Sequence, residues 1–482
     1  LSSTEQALTS GPVHVVGGGL AGVEAAWQLG SRGIPVILHE MRPLQSTPAH
    51  NSGDLAELVC SNTLGSLMPH TAPGVFKREL ELLGSLVVAA GRQCHVPAGG
   101  ALAVDREAFS ALIESSLSSL PNVEQRCELV RDLPGPEAGR WILATGPLTA
   151  QPLANQLQEL TGRDDLYFYD AIAPIVELDS VDMNKAYWGN RYGSPGEGDY
   201  LNLPLDKEEY ESFIDALLAG DQVPAKDFEK ERFFQGCQPV EAIAAGGRES
   251  LRFGPMKPVG LRDPRTGHRP WAVVQLRRET RDGSAMNLVG FQTKLKYGEQ
   301  SRIFRLVPAL AQAEFLRLGS VHRNTYLNTP RVLDSGLRIK SRPNLSVAGQ
   351  LVGCEGYTES SAMGLWAALA VVAERSSRQL KLPPRDTFLG ALLNYLGEAD
   401  AASFQPMNVN FGLLPVDGIR VRKSERKAHR IARGEHCVAQ MARWVAEELP
   451  AAGEARPLWV SQPSPWQLPP PIESTQGGAR HG

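Results

Sequence analysis

Three sets of residues have the types and spacing to do chemistry. The first is Gly17-x-Gly19-x-x-Gly22, followed 18 residues later by Glu40. Gly17 suits a tight turn, Gly19 lets a pyrophosphate approach the backbone, and Gly22 lets a helix pack closely on its strand. The free N–H groups at that helix start face the anion. A carboxylate at position 40 can accept hydrogen bonds from ribose hydroxyls, which favours an unphosphorylated adenosine ribose. The second set is a pair of cysteines. Cys60 lies in the polar, turn-prone stretch ELVCSNTLG (residues 57–65), and Cys237 lies in FFQGCQPVE (residues 233–241) after Lys226, Lys230 and Arg232. Cations favour a thiolate, and aromatic rings can stack a base. The third is a basic run, Arg420, Arg422, Lys423, Arg426, Lys427, Arg430 and Arg433 against Glu425 and Glu435, or +5 over residues 418–436. Each set has a plainer reading: a glycine turn that only packs, a small buried hydrophobe, a solvated helix face.

The elements around the glycines favour the dinucleotide reading. Val13–Val16 is a β-branched run before the turn, and apolar Leu20, Val23, Ala26 and Leu29 recur at helical spacing after it. Gly30 and Gly33 close that helix, and residues 35–40 (PVILHE) read as a second buried strand. Two later segments, residues 141–145 and 345–349, look like strands of the same sheet. The second leads through Gly353 and Gly356 into an apolar helix expected over residues 362–373. Between them, from about residue 164 to 329, aromatic and charged residues become denser. That stretch reads as an inserted α+β domain. The expected division is residues 13–163 and 330–449 for the dinucleotide domain, 164–329 for the insertion, and 450–482 for a Pro-rich, extended tail.

Composition narrows the class. The 482 residues carry a net charge of −4, with 42% hydrophobic and 21% charged residues, as expected of a globular protein without a uniformly basic coat. Six cysteines and no C-x-x-C pair exclude a disulfide scaffold or a zinc ribbon. The longest apolar run, residues 365–373, is nine residues, against about 18 or more for a membrane helix. The opening LSSTEQALTSGP lacks the basic start and apolar stretch of a signal peptide, so a cytoplasmic setting is expected. Cys94, Cys127, Cys354 and Cys437 are read as structural.

The motif Ala144-Thr145-Gly146 resembles the second fingerprint of flavoproteins of the glutathione-reductase type, and with the N-terminal glycine motif it points to FAD. Further motifs make the resemblance more specific. They are VVGGGLAGVEAAW (15–27), HEMRP (39–43), TPAHNSGDLAELVCSNTLG (47–65), VPAGGALAVDRE (96–107), LATGPLT (143–149) and YDAIAPIV (169–176). FGPMKPVGL (253–261), HRNTYLN (322–328), GCEGYTESSAMG (353–364) and FQPMNVNFGLLP (404–415) follow in order. Together they resemble the folate- and FAD-dependent tRNA (uracil-5-)-methyltransferases of the TrmFO family, from about residue 13 to 445.

The resemblance implies a Rossmann-like FAD-binding domain of the glutathione-reductase type with a smaller α+β insertion. It implies methylation of the T-loop uridine, position 54, of tRNA. The one-carbon unit comes from 5,10-methylenetetrahydrofolate, and FAD is reduced by NADH or NADPH. It places the FAD contacts at Gly17, Gly18, Gly19, Leu20, Ala21, Gly22, Glu40, Arg42, Gly349, Gly356 and Tyr357, and carries two family cysteines onto Cys60 and Cys237. Uracil C5 becomes nucleophilic when a thiolate adds to C6, and a second group then removes the C5 proton. Cys237 is assigned the C6 attack and Cys60 the base or partner thiol, with the reverse left open. Tyr357 and His322 could stack on pterin or flavin, or sit in the core. For RNA phosphates the candidates are Arg420, Arg422, Lys423, Arg426, Lys427 and Arg430, and a second cluster of Lys294, Lys296, Arg302 and Arg305. The alternatives are a related FAD and folate protein acting on wobble uridine, a flavin oxidoreductase without RNA substrate, and a non-catalytic tRNA-binding module.

Overall fold

The structure, a computed structural model, describes residues 11–449 except 48, 163–165, 172, 194–196, 224–237, 281 and 420, and the side chains of 166–171 and 321–325. Cys237 with its basic approach, Arg420, the His322 side chain and the Pro-rich tail therefore lie outside the described residues.

The glycine motif sits beside the centre of a six-stranded sheet. Its order is Arg338–Ile339, Arg342–Val347, Trp141–Leu143, Val13–Val16, Val36–Glu40 and Val123–Cys127. All neighbours are parallel except the first pair, and the register runs Ser346, Ile142, Val15, Leu38, Gln125 across the middle. The central strands read as near-continuous apolar runs because helices and loops cover both faces. One cover is Leu20–Gly30, all eleven residues of which are buried. It lies between the sheet and the long helix Tyr357–Arg375. Two missing side chains set these distances. A Cβ on Gly22 would stand 1.8 Å from the Gly17 carbonyl oxygen, and one on Gly364 would stand 2.0 Å from that of Ala21.

The long helix begins at Tyr357, five residues before the apolar run that marked it in the sequence. Its first turn is polar but satisfied. Glu359 accepts from the Val409 N–H at 3.1 Å and from Thr358 Oγ1 at 2.9 Å. Strand limits are tighter than the apolar runs suggest: Trp141–Leu143 ends before Thr145-Gly146, which turn away with Gly146 at φ +69°.

The insertion is a second, antiparallel sheet ordered Tyr187–Trp188, Tyr200–Leu205, Ala272–Arg278, Ala285–Leu288, Ile175–Glu177 and Phe315–Arg317. Helix Lys207–Ala219 starts with a reciprocal cap between Asp206 and Glu209 and buries Tyr210, Phe213, Ile214 and Leu217 against that sheet. Leu166–Ala171 and Val321–Tyr326, by which the chain leaves and returns, pair with each other as an antiparallel ribbon. A three-stranded sheet, Thr63–Ser66, Ala101–Val104 and His95–Val96, belongs to the first domain.

Because the Ala21 carbonyl leaves no room at Gly364, Gly364→Ala should force the two helices apart. Overpacking of this kind costs about 1–3 kcal/mol. Urea denaturation of the purified variant should show that loss, and an unchanged midpoint would show the helices free to separate.

Candidate active site

The carboxyl ends of the four central parallel strands open into one cleft, where open parallel sheets place ligands. It is lined by Gly17, Gly19, Leu20 and Ala21 from the glycine turn and by Glu40, Met41 and Arg42 beyond the second strand. Thr145 to Ala150, Gly349, Gln350, Tyr357 and Ser360 line the opposite side. The cleft is part open to solvent. Two helices point their starts here without a side-chain cap. Leu20–Gly30 follows Gly19, and Tyr357–Arg375 follows Gly356, which is at φ +113°.

The residues fit a dinucleotide. The position a Cβ of Gly19 would take has no neighbour within 4 Å, so a pyrophosphate can reach the backbone there. Glu40 Oε2 accepts from the Gly18 N–H at 2.6 Å, while Oε1 accepts from Arg42 N and Arg42 Nε, both at 2.9 Å. One lone-pair direction on Oε2 remains for a ribose hydroxyl. Burial alone would raise the Glu40 carboxyl, but the hydrogen bonds and charge of Arg42 and the Gly18 N–H outweigh it and hold the group below its ordinary value of 4.5. Arg42 is itself buried and bridges Glu40 to Glu57, with Nη1 at 3.2 Å from Glu57 Oε2. Its guanidinium thus orients two carboxylates.

Cys60 stands half-buried near the Tyr357 side of this cleft. Its N–H donates to the Tyr357 hydroxyl at 2.7 Å. The Cys60 carbonyl accepts from Arg106 Nη2 at 3.2 Å, and the Val59 carbonyl from Arg317 Nη2 at 2.8 Å. Arg106 is fixed in turn by Glu279, Nε to Oε2 at 2.8 Å. The buried Asn62 ties the same loop to both domains. Its Nδ2 donates to the carbonyls of Val104 and Arg278, each at 3.0 Å, and its Oδ1 accepts from Arg277 Nη2 at 2.9 Å. Sequence reasoning missed Asn62, Arg106, Arg277, Glu279 and Arg317. The signal available for Arg277 and Glu279 was a run of polar side chains closing an otherwise apolar strand.

The other cysteines divide. Cys94, Cys354 and Cys437 are buried. Burial, with Glu79 nearby, pushes the Cys437 thiol up to about 12, and burial with Glu359 nearby raises that of Cys354. Cys127, expected to be structural, is exposed instead, because Val123–Cys127 is an edge strand with a solvated face. Its Sγ donates to the Arg42 carbonyl at 3.2 Å.

Arg422 and Lys423 are exposed in an irregular stretch, and Arg426, Lys427 and Arg430 are exposed on the first turns of helix Arg426–Glu448. The opposite face of that helix is anchored by Cys437, Met441 and Trp444 and by Gly434, whose absent Cβ would meet Val75 at 2.6 Å. In the second basic cluster the cations have protein partners. Lys296 pairs with Asp221 at 3.2 Å and Arg302 with Glu299 at 2.6 Å, and Arg305 donates to the Ala313 carbonyl at 2.9 Å.

A family profile described as "Glucose inhibited division protein A" matches residues 12–379. A methylenetetrahydrofolate–tRNA-(uracil-5-)-methyltransferase TrmFO of Azorhizobium caulinodans is 51% identical over 464 residues, covering 92% of this chain and 98% of the relative. That of Desulforudis audaxviator is 52% identical over 441 residues, covering 91% and 99%. The chain belongs to the TrmFO family. Among solved structures, Aquifex aeolicus GidA aligns with a TM-score of 0.63 at 14% identity, over 90% of this chain and 75% of that one. This likeness shows the fold: a Rossmann-like domain carrying a smaller α+β insertion. In this chain the glycine turn and Glu40 line the cleft, and the Cys60 loop is tied to it through Tyr357.

Glu40→Gln should weaken retention of the expected FAD and destabilise the protein at neutral pH. A folded carboxyl held below 4.5 contributes fully above that value and loses its contribution as pH falls through the lower folded value. Urea denaturation of both proteins at stepped pH should show their stabilities converging only on the acid side.

Proposed function

We infer that this protein moves a one-carbon unit from 5,10-methylenetetrahydrofolate to C5 of a uridine in tRNA and completes it as a methyl group. The observation that carries this reading is identity near one half, along almost the whole of both chains, to relatives named for that reaction. We assign the T-loop uridine, position 54, as the target and NADH or NADPH as the reductant of FAD. Bound FAD supplies the reducing equivalents. The remaining work falls to the chain itself. The glycine turn and Glu40 grip the adenosine and pyrophosphate, and Gly349, Gln350 and Tyr357 close the other side of the cleft.

The thiols make uracil reactive. One adds to C6, so that electron density reaches C5 and that carbon attacks the methylene group. The other side chain removes the C5 proton while the folate nitrogen leaves the transferred carbon with its bonding pair. A hydride, the reducing equivalent, then adds to the exocyclic methylene, so that the thiolate leaves C6 and the ring double bond is restored. Cys237 is our candidate for C6 attack and Cys60 for the base or partner thiol. The setting of Cys60 supports a role in chemistry. Arg106 and Arg317 bind the backbone carbonyls of its loop and Tyr357 accepts from its N–H, so the thiol is held in place beside the cleft. Arg422, Lys423, Arg426, Lys427 and Arg430 form an exposed surface suited to RNA phosphates in an acidic protein, with Arg420 of the same run beside them in sequence. Among the described residues no helix is long and apolar enough to cross a membrane.

Protein incubated with unmodified tRNA, methylenetetrahydrofolate and NADPH should form 5-methyluridine; flavin-loaded protein that forms none overturns this reading. Cys237→Ala and Cys60→Ala should each lower the methylation rate by about a hundredfold or more while the flavin absorbance stays. Full activity of either variant removes that residue from the chemistry. Reversing charge at Lys423 and Lys427 together should weaken tRNA binding and reduce its salt slope by about two. Binding titrations at several salt concentrations measure both.

A further inference from the structure

The insertion holds a second cleft that the reaction does not use. It is lined by Tyr187, Asn190, Tyr192, Arg262 and Arg269, with glycines between them. Three features distinguish it from an ordinary surface groove. The first is an unanswered hydroxyl. Tyr187 is 5% exposed, and its Oη has no hydrogen-bond partner among the described residues. A buried, unpaired hydroxyl is costly, and native structures explain such groups by a ligand, water or function. Burial, with Asp263 nearby, pushes this phenol up to about 12, so at neutral pH it is a donor.

The second feature is Tyr192. It is 80% exposed and takes a left-handed backbone at φ +63°, a conformation that costs energy for a residue with a side chain. Its N–H donates to the Gly260 carbonyl at 2.8 Å, and a Cβ on Gly260 would come within 2.9 Å of its ring. The fold thus spends backbone strain to hold an aromatic ring at the cleft wall.

The third feature is charge. Arg262 and Arg269 are exposed and make no ion pair among the described residues, while nearby arginines are committed. Arg265 pairs with Asp263 at 2.6 Å, and Arg191 donates to the Val259 carbonyl at 2.9 Å and to Gln275 Oε1 at 2.9 Å. The turn between Arg262 and Arg269 is tied by Asp263 N–H to the His268 carbonyl at 3.0 Å and Gly267 N–H to the Asp263 carbonyl at 2.8 Å. Two cations are therefore presented on a fixed loop.

An aromatic face, two guanidinium groups with no ion pair among the described residues and a buried donor together match a nucleotide. The position in the fold says which one. Gly189 N–H donates to the Tyr200 carbonyl at 2.9 Å, Tyr200 pairs in register with Arg277, and Arg277 Nη2 reaches Ser61 Oγ at 3.2 Å, next to Cys60. Two strand spacings, about 10 Å, separate the edge of the cleft from the backbone of Arg277. We propose that this cleft binds an unpaired nucleotide of the tRNA near the reacting uridine. Arg262 and Arg269 take its phosphate, Tyr192 its base face, and the Tyr187 hydroxyl its base edge. The inference rests on the tRNA reading above.

Three variants of the full-length, flavin-loaded protein test it: Tyr192→Ala, Tyr187→Phe, and Arg262→Ala with Arg269→Ala. The probe is a fluorescent unmodified tRNA transcript, titrated at two salt concentrations. Tyr192→Ala should raise Kd about tenfold with the salt slope unchanged, as loss of one base stack does. The double arginine variant should raise Kd about tenfold and lower the salt slope. Tyr187→Phe should weaken binding severalfold while leaving thermal stability equal or higher, because it removes an unpaired polar atom. Wild-type affinity in all three overturns the proposal. So does an increased KM for NADPH in flavin reduction with tRNA affinity unchanged, which would give the cleft to the nicotinamide nucleotide. The wild-type control separates the two readings. Wild type that binds tRNA through this cleft yet forms no 5-methyluridine sinks the functional reading alone. Wild type that methylates, beside variants that bind as it does, sinks the cleft alone.

Discussion

Two carbonyl oxygens, those of Gly17 and Ala21, set the dimensions of the catalytic half of this protein. Each faces a glycine where any side chain would collide, at 1.8 Å for Gly22 and 2.0 Å for Gly364. The first contact seats Leu20–Gly30 on its strand, and the second seats Tyr357–Arg375 on Leu20–Gly30. Interiors are packed as densely as organic crystals, so separations of this kind cannot drift. Their consequence is functional. Two uncapped helix starts, Gly19 and Gly356, face the same cleft, where an anion is stabilised by free N–H groups.

The thiol loop depends on a different interaction, a set of buried polar groups shared between domains. Asn62 bonds to the carbonyls of Val104 and Arg278, Arg277 bonds back to Asn62, and Arg106 pairs with Glu279. The bonds of this network hold the loop in one place, although Arg277 Nε and Glu279 Oε1 are buried without a hydrogen-bond partner among the described residues, so the network is only partly satisfied. It makes the position of Cys60 a property of both domains. The insertion therefore helps to define the site even though the cofactor cleft lies in the other domain. At the edge of the same sheet, the pocket around Tyr187 and Tyr192 gives the insertion a second surface suited to the same substrate.

Much of this was legible before folding. The glycine spacing, the acid at position 40 and the apolar strands that flank them report local geometry, and local geometry is written in neighbouring residues. Long motifs in one order likewise carried the family. Apolar periodicity marks the helix at Tyr357 only from residue 362, because its first turn is polar and is satisfied by Val409 and Thr358. The sequence reads Cys127 as structural, and its strand proves to be a solvated edge. A run of residues does not state where its strand sits in a sheet. In the second basic cluster Lys296 and Arg302 meet carboxylates from Asp221 and Glu299, a pairing that for Lys296 spans 75 positions of the chain.

The sequence by itself determined that a Rossmann-like turn exists, that an acid follows it, that two cysteines stand in unusual settings, and that positive charge is concentrated near residue 426. Only the tertiary structure decided that Arg42 serves Glu40 and Glu57, that Tyr357 holds the backbone of Cys60, and that Arg106, Arg277 and Arg317 gather on one loop. The reason is physical. Backbone turns and helices are governed by residues a few positions apart, whereas a charge or hydroxyl acquires its meaning from whatever the fold packs against it. Cys60 and Tyr357 are 297 residues apart in the chain and one hydrogen bond apart in the protein.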